Sequence, residues 1–133
     1  MSARKFQRQL AAFSTKVEAD VEDAIGEAIL ETGVRIIERT PVDTGRARGG
    51  WQTTIGSAPS AAEPDRDPGD ARGELEQAAR SFQLGDEVHI SNAVEYIGIL
   101  EDGNSAQAPQ GMVKVTASEW PAIVEAAVRR RRR

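Results

Sequence analysis

The sequence predicts an α+β fold: a small, mainly antiparallel sheet packed by a long N-terminal helix and a C-terminal helix, with a long Pro-rich loop. Three observations carry this reading. Apolar residues recur every three or four positions through residues 4–39, segments 51–55 and 87–91 alternate apolar with polar side chains, and a second apolar run fills residues 112–128. A chain of 133 residues supports one modest core, so residues 1–128 read as a single domain and residues 129–133 as a basic tail.

In the first element Phe6, Leu10, Phe13, Val17, Val21, Ile25, Ala28, Ile29, Thr32 and Ile36 follow the period of an amphipathic helix, one long helix or two in line. Such a stripe is either a coiled-coil seam or a face packed on the protein's own sheet, and the second is the commoner fate. Gly26 and Gly33 each cost about 1 kcal/mol relative to Ala unless close packing needs the missing side chain. Thr40 and Pro41 end the helix, because a residue before proline is pushed out of helical geometry.

Trp51, Thr53 and Ile55 then alternate with Gln52 and Thr54 between glycines, the pattern of a half-buried strand. Residues 57–73 hold Pro59, Pro64, Pro68 and Gly69 with hardly any apolar side chains, and read as an extended loop that orders against a partner. Residues 74–82 suit a short helix, and residues 87–91 a strand with Val88 and Ile90 on one side. Asn92 is placed as N-cap of a helix over 93–101 that ends at Asp102 and Gly103. The final element has two readings around Pro121: a helix restarting at 120–121, or a strand over 112–117 followed by a helix.

Composition excludes several kinds of chemistry. Cysteine is absent, so disulfides, thiolate metal sites and a cysteine nucleophile are out. No apolar run nears the roughly 20 residues that span a bilayer, and the N-terminal residues lack the apolar core of a secretion signal. Synthesis in a reducing cytoplasm and no membrane contact are the expectation. The net charge of −4 is uneven, since Arg129, Arg130, Arg131, Arg132 and Arg133 are five of only 17 basic residues. The body is acidic, and the tail alone is suited to contact genomic DNA or an acidic partner.

The catalytic inventory is thin. Asp43-Thr44-Gly45 matches the triplet of aspartic proteases, where two such Asp residues share a proton. Here it follows Pro41 instead of an apolar strand and precedes Arg46 and Arg48, so a turn explains it better. His89, the single histidine, has no second His or Cys with which to hold zinc. Neither a Gly-x-Ser-x-Gly elbow nor a phosphate-cradling Gly-Lys loop occurs, so no catalytic, cofactor-binding or metal-binding residue is assigned and no enzyme is expected.

The ordered set of segments resembles a known family. The long helix, Thr40-Pro41-Val42-Asp43-Thr44-Gly45-Arg46, the Gly50-Trp51-Gln52 strand and the Pro-rich loop are followed by Val88-His89-Ile90-Ser91-Asn92 and Tyr96. Then come Leu100-Glu101-Asp102-Gly103-Asn104-Ser105 and Gln107-Ala108-Pro109-Gln110-Gly111-Met112-Val113. Together, over residues 5–128, they are similar to the head-to-tail joining or tail-completion proteins of long-tailed double-stranded DNA phages, of the lambda minor tail protein Z type. The family often has an aromatic or apolar pair before its Tyr where this chain has Val94-Glu95, and the arginine run lies outside its pattern.

The resemblance implies a structural virion protein at the neck or upper tail end, in a ring expected to be hexameric. It would touch connector or stopper, terminator and tail-tube proteins. Rings join different patches of successive subunits, so loops on a rigid core are natural contacts. Candidate interface residues are Asp43, Arg46, Arg48, Tyr96, Glu101, Asp102, Gln107, Met112 and Trp120. A tail terminator or connector stopper is the neighbouring alternative, and a nucleic-acid-contacting adaptor acting through the arginine tail is the alternative of another class.

Overall fold

The computed structural model describes residues 2–42, 44–63 and 65–131. Helix α1 (Ala3–Arg39) begins where the Ser2 side chain accepts from the Lys5 amide, and ends where Thr40 turns extended ahead of Pro41. Seven elements follow the chain: α1, α2 (Arg46–Gly49), β1 (Trp51–Ile55), α3 (Pro68–Ser81), β2 (Val88–Asn92), α4 (Ile97–Glu101) and α5 (Val113–Arg131). The fold is α+β, with two antiparallel strands and a long helix at each end of the chain.

The strands pair from Trp51 opposite Asn92 to Ile55 opposite Val88. Two strands alone are marginal, and this pair is held by what packs on it. The main core joins Ile29, Ile36, Ile37, Trp51, Leu75 and Met112, so it lies where α1 and α3 cross the sheet. A satellite cluster of Ala24, Ala28, Ile123 and Ala127 seals α1 to α5. The close crossing explains both helix glycines: a Cβ at Gly26 would sit 2.8 Å from the Ala79 carbonyl oxygen, and one at Gly33 would strike Leu75. Trp51 donates its indole Nε1–H to the buried Thr40 hydroxyl at 2.8 Å, tying β1 to the end of α1.

Several expectations are corrected. Pro68 to Gly73 are the first turns of α3 and not loop, because Asp67 and Asp70 form a reciprocal capping box with Pro68 in the first turn. In the rest of that loop it is Arg66 that fastens the chain to its own domain. Arg66, 9% exposed at its side chain, donates to the carbonyls of Gly49 and Trp51 at 2.9 Å each and pairs with Glu63 and Glu74. Glu74 in turn accepts from the Thr53 amide at 2.6 Å. Asn92 ends β2 and does not cap a helix: its amide donates to Ala47 and accepts from Val94, and α4 starts only at Ile97.

Neither reading of the last element holds. One helix runs from Val113 through Pro121 to Arg131, because Thr116, Ile123 and Ala127 are buried on both sides of an exposed proline. That burial outweighs the roughly 3 kcal/mol an interior proline costs. Helix α5 runs antiparallel to α1: Arg39 reaches Thr116 at 2.9 Å at one end, and Arg130 reaches Glu27 at 2.5 Å at the other.

Arg39 binds both carboxylate oxygens of Glu119, and Arg35 adds a contact at 3.2 Å. The Arg39 hydrogen bonds lower the Glu119 carboxyl from 4.5 to about 2, against partial burial and with help from Arg35. A depressed carboxylate stabilises the fold above its unfolded pKa, and that contribution fades as the pH drops from about 4.5 towards 2. Glu119→Gln is expected to flatten the acid limb of a circular-dichroism pH titration over this interval. Superimposable acid limbs would rule the linkage out.

Candidate functional site: the cleft between the Pro41 and Gln107 loops

The loop at Pro41 and Val42 meets the loop at Gln107. The Gln107 side-chain amide accepts from the Val42 amide at 3.0 Å and donates to the Val42 carbonyl at 3.3 Å, so one side chain imitates a strand partner across the gap. Between the loops lies an open cleft of about 310 Å³ whose walls include Pro41, Val42, Tyr96, Leu100, Asn104 and Gln107. Arg46 stands at its edge, gripping exposed Glu95 through two hydrogen bonds of 2.7 and 2.8 Å while its guanidinium lies 5.8 Å from the Tyr96 ring centre. That grip holds the Glu95 carboxyl below its usual range.

Glycine makes the local turns. Gly45 precedes α2 at φ 86°, and Gly103 follows α4 at φ 89°, a left-handed angle that side chains rarely adopt. A Cβ at Gly111, also left-handed, would collide with the Glu101 carbonyl and carboxylate. These constraints fix the cleft's walls from behind.

Three candidates point inward. Glu101 accepts from the amides of Met112, Val113 and Lys114 at 2.9 to 3.0 Å and so caps the start of α5. Burial pushes its carboxyl up, but the three amides together outweigh it and the pKa is lowered. Arg48 donates to the carbonyls of Glu38 and Thr40 at 2.7 Å each, closing the end of α1. Met112 is fully buried in the main core. All three position the loops and leave no side chain for a partner.

The remaining candidates scatter. Tyr96 and Gln107 line the cleft and Arg46 lies against the Tyr96 ring, while Asp102 is exposed at the end of α4. Trp120 lies elsewhere, on an apolar recess with Phe82, Val88 and Ile90. Asp43, Arg132 and Arg133 lie outside the described residues.

Arg129, Arg130 and Arg131 belong to α5 and meet carboxylates: Arg129 pairs with Glu125, Arg130 with Glu27, and Arg131 with Asp23 at 3.8 Å. The basic run therefore starts as a docked helix end. Sequence reading missed Val42 as a cleft residue and Glu95 as the partner of Arg46. The signal for Glu95 was its place beside Tyr96; Val42 contributes backbone groups, which no residue type reveals.

Among the described residues no group of three His, Asp or Glu side chains is placed to hold a metal, and no helix is long and apolar enough to cross a membrane. His89 stands opposite Thr54 in the ladder with Nε2 3.1 Å from the Glu87 carboxylate. No family model, no curated protein and no solved structure matches the chain.

Proposed function

We propose that this chain is a structural subunit of a phage neck or upper tail end, assembling as a ring that completes the tail and joins it to the head. The observation that carries the reading is the Gln107 bridge, which locks two exposed loops into one shaped cleft beside an aromatic ring and a charge pair. A subunit contact needs such pre-organised loops, since ordering them on binding would cost affinity. The ordered resemblance to head-to-tail joining proteins supplies the setting, including hexameric symmetry and neck partners. In the ring, Arg46, Tyr96 and Gln107 receive the neighbouring subunit's surface. A terminator or stopper subunit would use the same cleft at an adjacent level of the neck. The nucleic-acid adaptor reading is disfavoured by Arg129, Arg130 and Arg131 having carboxylate partners on α5 and α1.

The test is Tyr96→Ala in the producing phage or prophage. The purified variant is expected to melt within a few degrees of the parent, as for a half-exposed side chain. Electron micrographs are expected to show heads and tails accumulating unjoined. Normal virions carrying the variant, or absence of the protein from virions, would refute the assignment.

A further inference from the structure

Every residue from Ser2 to Val21 is exposed, so the first half of α1 packs on no other described residue of its own chain. Five large apolar side chains lie along it: Phe6 at 56% exposure, Leu10 at 55%, Phe13 at 65%, Val17 at 42% and Val21 at 43%. Their spacing continues without a break into Ala24 and Ala28, the positions that α5 covers. The stripe is therefore one seam, occupied by an antiparallel helix in its second half and bare in its first. Helix α5 is described to Arg131, beside Asp23, so about 20 residues of seam, roughly 30 Å at 1.5 Å per residue, extend beyond it.

Charge tells what fits there. This stretch is basic at its start, with Arg4, Lys5 and Arg8, and net acidic at its end, where Glu18, Asp20, Glu22 and Asp23 outnumber Lys16. A copy of the same helix laid antiparallel puts each basic end against an acidic end; a parallel copy puts like on like. At about 100° per residue, Lys5, Asp20 and Asp23 share one flank of the seam, so antiparallel pairing sets Lys5 of one copy against that acidic pair of the other. The partner's arginines and lysine thereby repeat what Arg130 and Arg131 already do on Glu27 and Asp23. The lengths agree as well, since a partner beginning at Ala3 opposite Asp23 fills the seam and stops where α5 stands.

We propose that the first half of α1 is the seam of an isologous antiparallel dimer, its occupant the same half-helix of a second copy with the twofold axis near Phe13. Such an interface closes at two subunits. It rests on the helix alone and uses none of the cleft residues assigned to the ring.

The whole chain, studied by sedimentation equilibrium, is expected to dimerise. Phe13→Asp should weaken the dimer at least about a hundredfold, since both copies lose a buried ring. Its circular dichroism should stay unchanged because Phe13 touches no core. The absence of cysteine gives a clean test of direction. Phe13→Cys should cross-link to itself on oxidation, whereas Phe6→Cys and Val21→Cys should each stay single and cross-link when mixed. Self-cross-linking by Phe6→Cys and Val21→Cys separately would mean parallel pairing and overturn the proposal. A parent chain that stays monomeric would overturn it too. A larger assembly whose size Phe13→Asp leaves unchanged would overturn it while leaving the ring standing.

Discussion

Gly33→Ala is expected to destabilise the protein by about 1–3 kcal/mol, against alanine's advantage of about 1 kcal/mol in a helix. The reason is the crossing of α1 and α3. A Cβ at position 33 would meet both terminal methyls of Leu75, one of them at 2.5 Å, and Leu75 is fully buried with little room to yield. Leu75→Ala alone should cost about 2–5 kcal/mol through the cavity it leaves. Combined, the two should cost less than their sum, because the alanine methyl enters space that Leu75 has vacated. Urea denaturation of the four proteins measures the coupling. Additive costs would mean that α1 and α3 do not meet through this pair.

Arg66→Ala carries the second large effect, a loss of about 2–4 kcal/mol. Its guanidinium satisfies the carbonyls of Gly49 and Trp51 and faces Glu74, which itself holds the Thr53 amide. Removing it leaves two carbonyls and a half-buried carboxylate short of donors. The edge of β1 loses its cover at the same stroke. Chemical denaturation should show the loss, and limited proteolysis should open residues 57–67. A variant as stable and as protease-resistant as the parent would show that the loop is held by something else.

These two sites mark where sequence reading reached and where it stopped. The glycines were legible as a conflict, since two poor helix formers in a strong helical stripe ask for a close neighbour; the neighbour's identity was not. Arg66 was illegible, because a charged residue in a Pro-rich, apolar-poor stretch is ordinarily solvated. Only the fold places two carbonyls within its reach. The candidate site divides similarly. Tyr96 and Gln107 came together at a cleft with Arg46 beside Tyr96, while Arg48 and Glu101 turned inward to cap helices. Polar residues beside helix ends serve as caps or as contacts, and sequence alone does not choose between them.

Periodicity, breakers and glycine positions by themselves determined the α+β class, the two strands, the long first helix and its end at Thr40, because these depend on local sterics and on which face is apolar. Tertiary structure alone decided three other things. The last helix runs through Pro121 because burial against α1 exceeds the local cost of proline. The Pro-rich loop is fastened by Arg66 to its own domain. The first helix's stripe is half core and half bare surface, since the same apolar period is written whether a seam is filled by the chain's own helix or by another.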